Sequence, residues 1–557
     1  MTPTTIRPSV SPEVINKVAR LFNGSLDDLV NEMLQNARRA GATRIAVTLD
    51  ISDDSSNWLA FDDNGSGISD PQDFISLGKS HWNAETIASE DPAGMGVYAL
   101  APRRAVVVSA DHTQAGWTAT INPDAWTGQI DIPVAPVTRS HGTMIAVQIT
   151  ADEHVNAQRI VAKAATFHPV PVTFEELPIV QSDFLADCET IVETGAYRIG
   201  VKPFKHYEPT TNFHGLTINQ KIFEVSLNHG ITYAAYVDIL CAPELKLVLP
   251  ARKEYVKDQA FIALQLAAEQ AIYQHIATLP EHTMSYKNYA RALALDVDIA
   301  PAAGRLRTYF PPTAADGHEH LEFSKSSEAK HLVIVGNLAP PIAWHITDAL
   351  KESHPHVTPC HREPAYAGYT WYDDIPLISD AGAEITIGAV TVTADCDAEC
   401  TNPNYPFDEP QRADAIAITY QLTYPATRES QTFRHSVNQF CLYSDPLREI
   451  EETDYFVTKI STPQASEALA YFEACLFDPS QDSDSDSWDT QQSSFTEDAI
   501  RCVYPLIYDD DTAIAAAVQH TLRAAYLQVP AGMTLTATIT SGSVRVEVAT
   551  PRERTPA

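Results

Sequence analysis

The chain has few basic residues, few cysteines and no long apolar run. Against 72 Asp and Glu it carries only 38 Lys and Arg, so its formal net charge is −34. This charge excludes a general electrostatic attraction to nucleic acid or to anionic lipid, but it is compatible with a local basic groove. Direct nucleic-acid binding is therefore not favoured.

The eight cysteines are scattered over 557 residues, which excludes the dense disulfide scaffold of small secreted domains. No apolar run approaches the ~20 residues that span a bilayer. The first residues, MTPTTIRPSVSPEV, lack the basic-then-apolar pattern of a secretion signal. We expect a soluble, cytoplasmic protein that does not bind a membrane.

The chain does have enough apolar sequence for several cores, since 44% of its residues are hydrophobic. Its length suggests about three or four domains. Helical stripes alternate with short strand-like runs up to about residue 150, which predicts an α/β layer fold. We predict an α/β domain at 1–152, an α+β domain at 153–295, a second α+β domain at 296–480, an acidic linker at 481–494 and a small α+β segment at 495–557.

The segment LVNEMLQNARRAGATRI (29–45) carries the first candidate site. Ser25 and Gly41 are start and stop signals that predict a helix over about 26–40, with an apolar stripe along it. Glu32 and Asn36 lie four residues apart and therefore share one helical face. Together they could position a water molecule and a hydrated Mg²⁺, although two polar residues on a solvated face would give the same pattern.

Three glycine motifs follow this helix. Asp63-Asn64-Gly65-Ser66-Gly67 ends a predicted strand, where glycines let a flat ring approach the backbone and Asp63 can accept a hydrogen bond from an amine; an ordinary turn is the alternative. Gly94-Met95-Gly96 opens a predicted helix, whose free N–H groups suit phosphate. Gly142-Thr143 opens a strand. Each motif is weak evidence alone. With the segment that carries Glu32 and Asn36 there are four motifs, and their order and spacing decide the interpretation.

In that order, the motifs resemble those of the GHKL ATPases, which include gyrase, the ninety-kilodalton heat-shock chaperones, histidine kinases and MutL. EMLQNARRAGATRI resembles their N-box, DDNGSGI the next box, AGMGVYAL the glycine-rich lid box and HGT the late Gly-Thr motif. The resemblance covers about residues 12–150 and implies a Bergerat-type α/β sandwich with helices on one face of the sheet. No His precedes the N-box, so the resemblance favours the gyrase–chaperone–MutL branch, with a transducer-like domain at 153–295.

The resemblance implies roles by position. Glu32 would be the general base for the attacking water, and Asn36 would coordinate Mg²⁺. Asp63 would bind the adenine amine with support from Thr143. The remaining nucleotide contacts would come from the adenine-lining glycines, from the lid residues that cradle phosphate and from a lysine before the lid: Gly65, Gly67, Gly94, Met95, Gly96, Val97 and Lys79.

A distant basic residue completes the site in this branch. LKLVLPARKEYVKDQAF resembles the chaperone segment that supplies it, with Arg252 the first choice and Lys253 the second; a basic helix start on the surface is the alternative. Two departures stand out. Arg39 occupies a position where MutL and the chaperones usually have an acidic residue, and the lid is short.

These observations predict a Mg²⁺-dependent, slowly hydrolysing ATPase that closes its lid and forms a homodimer when ATP is bound. The alternative is a non-catalytic nucleotide-binding protein whose acidic C-terminal half binds a protein partner. A zinc site among His354, His356, Cys360, His361, Cys396 and Cys400 is not predicted, because the spacings match no zinc template.

Overall fold

The computed structural model divides into two units, residues 1–303 and 304–557, and both combine helices with mixed β-sheets. The mixed α/β class is as predicted. The structure describes residues 25–51, 56–76, 96–112, 115–127, 129–228, 230–248, 253–312, 326–328, 331–398, 410–442, 455–480, 482, 485–508, 510–524, 533–540 and 543–549. The sequence PEVINKVARLF (12–22), with Val14, Val18 and Leu21 on one side, also predicts a short helix, and it lies outside these residues.

The first helix, α1 (Leu26–Arg39), follows its sequence signals closely. The Ser25 hydroxyl accepts a hydrogen bond from the Asp28 N–H at 3.2 Å, which caps the helix. Gly41 follows with a φ of +69°, the left-handed conformation that ends helices. The predicted apolar stripe is buried throughout, as its six members show: Leu26, Leu29, Val30, Met33, Leu34 and Ala37.

An eight-stranded mixed sheet lies against this helix. Its inward side chains alternate with half-exposed ones and join α1 in a single apolar core, so that helices cover one face of the sheet. The strands are β1 (Ile45–Ile51), β2 (Asn57–Asp63), β3 (Ala105–Ala110), β4 (Gly116–Ile121), β5 (Val134–Val137), β6 (Gly142–Ile149), β7 (Val172–Phe174) and β8 (Leu177–Pro178), in the order β5-β4-β3-β6-β2-β1-β7-β8. Short helices at Pro71–Ile75 (α2), Gly96–Leu100 (3₁₀) and Pro123–Thr127 (3₁₀) connect them.

The sheet continues past the predicted boundary at residue 152, which was therefore placed too early. Helix α3 (Ala151–Ala165) begins with a capping box between Thr150 and Glu153 and packs on α1. It returns the chain to β7, which pairs with β1 in parallel. A parallel pair needs such a crossover, and the periodicity of the sequence does not reveal it.

A second sheet completes the first unit. It is formed by β9 (Thr190–Glu193), β10 (Tyr197–Pro203), β11 (Thr211–Phe213), β12 (Leu216–Ile218), β13 (Glu224–Ser226) and β14 (Thr232–Ile239), covered by α4 (Gln259–Thr278) and α5 (Tyr286–Ala294). The predicted strand LKLVLPA is reduced, among its described residues, to one bridge between Leu247 and Tyr255. Val297 and Ile299 belong to this core, so the unit extends beyond the predicted boundary at 295.

The second unit contains the elements from β15 onward. They are β15 (Arg305–Arg307), β16 (Ser326–Glu328), β17 (Leu332–Val335), α6 (Pro340–Ser353), β18 (Thr358–His361), a 3₁₀ helix (Pro364–Tyr366), α7 (Thr370–Asp373), β19 (Leu377–Ile387), β20 (Val390–Ala394), β21 (Gln411–Ala413), β22 (Ala415–Tyr424), β23 (Glu429–Val437), β24 (Gln439–Cys441), β25 (Tyr455–Thr458), α8 (Ala465–Leu476), α9 (Trp488–Ile507), α10 (Asp510–Ala524), β26 (Thr534–Thr540) and β27 (Ser543–Ala549). Its main sheet has the order β18-β17-β19-β22-β23.

The sequence HLVIVGNLAPPIAWHITDAL predicts a strand–loop–helix unit, and AEITIGAVTVTA and TLTATITSGSVRVEVAT predict hairpins. The structure has all three, at β17 and α6, at β19–β20 and at β26–β27. The linker at 481–494 was predicted too long, because α9 starts within it at Trp488 and is capped by Ser487. Within the described part of the chain, no helix is long and apolar enough to cross a membrane.

Candidate functional site

The turn after β2 is held between the end of α1 and the end of β3. The Gly65 N–H donates to Asp63 Oδ1 at 2.8 Å, and the Ser66 N–H donates to the Ala40 carbonyl at 2.8 Å. Gly67 has a φ of +72°, and a Cβ there would lie 1.8 Å from the Ala110 carbonyl oxygen. Only glycine fits this position, because the backbone of the turn lies against the end of β3. The approach of a flat ring to these glycines stays a prediction.

Asp63 is a largely buried carboxyl group at the end of β2. It lies directly opposite Thr143 in the β2–β6 register. Burial raises the pKa of Asp63, whereas hydrogen bonds from the backbone of Gly65 and Thr143 act to lower it. A carboxylate has about four lone-pair positions, so two amide donors leave acceptor capacity for a ligand amine.

Ser109 belongs to the same cluster and was missed by the sequence analysis. Its hydroxyl lies 2.9 Å from the Thr143 hydroxyl and accepts a hydrogen bond from the Ile68 N–H at 2.9 Å. The side chain is fully buried on β3, on the inward face that Ala105 and Val107 also occupy. A polar residue at the inward position of an apolar strand was a signal that could have identified it.

The polar face of α1 carries the next group of residues. Asp28, Glu32, Asn36 and Ala40 follow at intervals of four and therefore form one line along the helix. This line ends at the glycine turn, since a Cβ on Gly65 would lie 2.7 Å from the Ala40 Cβ. The fold thus brings the helix that carries Glu32 and Asn36 next to the turn at Asp63.

Arg39 lies across this polar face. Its Nη1 donates to Asn36 Oδ1 at 3.3 Å and lies 3.7 Å from Glu32 Oε1. Both charged side chains are shielded from solvent, with 5% of Arg39 and 14% of Glu32 exposed. The departure from the family pattern therefore places a guanidinium between the two side chains that the resemblance assigns to water activation and Mg²⁺.

The lid box is described from Gly96 onward. It forms a single 3₁₀ turn rather than the predicted α-helix, with Val97 packed against the core. A Cβ on Gly96 would lie 1.7 Å from Glu32 Oε1, so the backbone of this turn lies directly against the carboxylate. The other predicted phosphate contacts, Lys79, Gly94 and Met95, lie outside the described residues.

Of the two distant basic candidates, Arg252 lies outside the described residues and Lys253 lies close to α1. The Lys253 Nζ is 3.5 Å from Asp28 Oδ1, and 64% of the lysine side chain is exposed. Asp28 is one helical turn before Glu32 on the same line of residues. Lys253, from the segment predicted to reach the site, thus contacts the first turn of α1, the helix that carries Glu32 and Asn36.

A buried contact also ties α1 to the second sheet. The Gln35 side chain is 4% exposed and donates from Nε2 to the His214 carbonyl at 2.8 Å. Arg38 in turn donates to Gln35 Oε1 from Nε at 3.4 Å. Gln35 and His214 are 179 positions apart in the chain, so their contact had no local sequence signal.

Histidine, cysteine and carboxylate side chains do not gather in threes around a possible metal position anywhere in the described ranges. Of the residues considered for zinc, Cys400 lies outside those ranges. Buried Cys360 contacts the Thr358 carbonyl oxygen, with a separation of 3.7 Å from its Sγ. Burial raises the pKa of this thiol to about 12, so without a metal the thiol is protonated at neutral pH.

Comparison with known proteins finds no family model that matches the chain and no matching curated protein.

Proposed function

We propose that this chain is a Mg²⁺-dependent, ATP-binding conformational switch of the GHKL type, with a Bergerat-type sandwich in its first unit and slow ATP hydrolysis. The observation that carries the proposal is the line of residues from Asp28 to Ala40, which ends at the glycine turn beside Asp63. The proposed base Glu32, metal ligand Asn36 and purine acceptor Asp63 then follow one another in space along α1 and the end of β2.

The residues fit a purine nucleotide at this position. Asp63 would accept from the exocyclic amine, since it is buried and retains acceptor capacity. The 2.9 Å contact between the Ser109 and Thr143 hydroxyls would hold β3 and β6 in place beside Asp63. Gly65 and Gly67 would line the adenine pocket with their backbone. The pocket would recognise adenine by hydrogen bonding and shape.

Phosphoryl transfer needs mainly positioning and charge neutralisation. Asn36 would offer Oδ1 to a Mg²⁺ ion whose other ligands are phosphate oxygens and water, and this ion would neutralise charge on the phosphates. Glu32 would hold the attacking water and accept its proton. The backbone from Gly96 to Val97 would face the phosphates, and Lys253 or Arg252 would reach the terminal phosphate from the second sheet.

The same contacts support a conformational switch. Gln35 joins α1 to the turn at His214, and Lys253 pairs with Asp28, so both connections from the second sheet end on the helix that carries Glu32 and Asn36. A change at the phosphates would therefore be transmitted to the second sheet. We propose that ATP closes the lid and favours a homodimer.

One observation favours the alternative of a nucleotide-binding protein without turnover, whose acidic C-terminal half binds a protein partner. Arg39 donates to the same Asn36 oxygen that Mg²⁺ would require. If this hydrogen bond persists in the nucleotide complex, ATP would bind with a poorly held metal and hydrolysis would be absent.

The Glu32→Gln variant separates these possibilities. A fluorescent ATP analogue should bind it with wild-type affinity, while phosphate release should fall by about 100-fold or more, as is typical when a general base is removed. Glu176→Gln, at an exposed position of the same unit, is the matched control. Wild-type turnover in Glu32→Gln would remove Glu32 from its role. Binding without turnover in the wild type would favour the alternative, and absence of ATP binding would refute both.

A further inference from the structure

The second unit contains a cavity of about 630 Å³ that is separate from the nucleotide site and does not depend on it. This volume lies in the ~300–1,000 Å³ range of small-molecule sites. One wall is helix α6, and the others are the start of β22, the end of β23, β24 and helix α8.

The wall is rich in carboxylates. Asp348 and Glu352 lie four residues apart on α6, and Asp414 and Glu467 also line the cavity. Lys351 lies 3.1 Å from Asp348, and Lys459 lies 2.7 Å from Asp414. His435 Nε2 lies 3.6 Å from Glu352 Oε2, so three of the four carboxylates have a nitrogen partner. The four carboxylates and the two lysines together carry a formal charge of about −2. This charge favours a cationic occupant.

An unpartnered ring nitrogen provides independent evidence for a ligand. His345 lines the cavity with only 9% of the residue exposed, and its Nε2 has no hydrogen-bond partner among the described residues. A buried polar atom without a partner is rare and indicates a missing ligand or water. The neighbouring Trp344 Nε1, a donor, is unpartnered in the same way.

The protonation of His345 defines what it can bind. Burial lowers the pKa of this imidazole to about 4, so the ring is neutral at pH 7. A hydrogen bond to the backbone of Gln439 acts to raise the pKa, which is the effect of donating to a carbonyl. With its proton committed there, Nε2 is an acceptor and requires a donor from the ligand.

We propose that this cavity binds an organic cation bearing an ammonium or guanidinium group together with an oxygen acceptor. The cation would donate to the carboxylates of Asp348 and Glu467 and to His345 Nε2, and its oxygen would accept from Trp344 Nε1. The rings of Trp344 and Tyr471 add the aromatic surface that cations favour. Such a group occurs in free basic amines and in the arginine or lysine residues of a peptide.

The test is a ligand-observed NMR titration of the full chain with argininamide, which carries a guanidinium, an ammonium and a carbonyl oxygen. Binding should weaken by about tenfold or more in Asp348→Asn/Glu467→Gln, because two charge-assisted contacts are lost. Glu429→Gln, an exposed carboxylate of the same unit, should leave it unchanged. Citrullinamide, which has lost the guanidinium charge, should bind at least about tenfold more weakly.

A second arm distinguishes the sources of the cation. A blocked Gly-Arg-Gly peptide that binds as well as argininamide would assign the cavity to a residue of a partner protein, whereas its failure would assign it to a free amine. Absence of argininamide binding at about 10 mM, or equal binding by the double variant with an unchanged melting curve, would overturn the proposal. His345→Leu should weaken binding in the same direction while the carboxylates remain.

Discussion

Arg39 donates a hydrogen bond to Asn36, 3.3 Å from Nη1 to Oδ1, on the helical face that also carries Glu32. The same Nη1 lies 3.7 Å from Glu32 Oε1 in a shielded environment. A guanidinium here competes for the oxygens that a divalent cation would use.

Replacing Arg39 with Ala should increase the sensitivity of ATP turnover to Mg²⁺. Without the guanidinium, Asn36 Oδ1 is available, and the Mg²⁺ concentration for half-maximal turnover should fall by about three- to tenfold, equivalent to roughly 1 kcal/mol. Phosphate release measured at a series of Mg²⁺ concentrations tests this prediction. Arg159→Ala, an exposed arginine of the same unit, is the control, and an unchanged or higher Mg²⁺ requirement would contradict the prediction.

Gly96→Ala should abolish turnover without unfolding the protein. The new Cβ would meet Glu32 Oε1 at 1.7 Å, but this atom ends a flexible side chain that can move aside. The carboxylate would then leave the position from which it activates water. Thermal unfolding should change by no more than about 2 °C, within the range of a surface substitution. Gly195→Ala, whose Cβ would meet nothing within 4 Å, is the control; full activity in Gly96→Ala would show that the position of Glu32 is unimportant.

Gly67→Ala should instead destabilise the fold itself. At a φ of +72° its Cβ would lie 1.8 Å from the Ala110 carbonyl oxygen, and backbone atoms cannot move aside at low cost. Gly41 has a similar φ of +69° with nothing within 4 Å, so Gly41→Ala isolates the cost of the conformation alone. We expect about 1 kcal/mol for Gly41→Ala and about 3 kcal/mol or more for Gly67→Ala. Urea unfolding measures the difference, and equal losses would disprove the close approach.

Asp63→Asn should change the pH dependence of stability. Burial raises the pKa of Asp63, so the native carboxyl binds its proton more tightly than the unfolded chain does. Its contribution to stability is complete below the unfolded value of about 3.9 and is lost as the pH rises through the folded value. The asparagine does not ionise, so the variant should gain stability relative to the wild type between about pH 4 and pH 7.

Denaturant unfolding across that pH range, with Asp124→Asn as an exposed control, measures this gain. A stability difference that does not vary with pH would contradict the raised pKa. Binding of the fluorescent ATP analogue provides a second readout, which should be lost in Asp63→Asn because an amide presents a donor where the purine amine requires an acceptor.

Local signals in the sequence predicted the local structure well. The cap at Ser25, the buried stripe of α1 and the helix end before Gly41 each depend on a few neighbouring residues, and each is found in the structure. Contacts between distant segments were not accessible in this way. The parallel pairing of β7 with β1 and the contact of Gln35 with His214 join segments that are more than a hundred residues apart.

Arg39 shows a second limit of prediction from the sequence. Its sequence position revealed a departure from the family pattern, but the effect depends on how its side chain folds back along the helix, which spacing does not specify. Ser109, by contrast, could have been found, because it interrupts the inward apolar positions of β3.

The hydrogen bond from Gln35 to the His214 carbonyl sets a mechanical limit on the first unit. A bond of 2.8 Å is lost when it lengthens by well under an ångström. Helix α1 and the turn at His214 must therefore move together, because separating them would leave the Gln35 amide and the His214 carbonyl without this hydrogen bond. A substitution in that remote turn can thus shift helix α1 as a whole, and Glu32 and Asn36 then move with it although neither residue is altered.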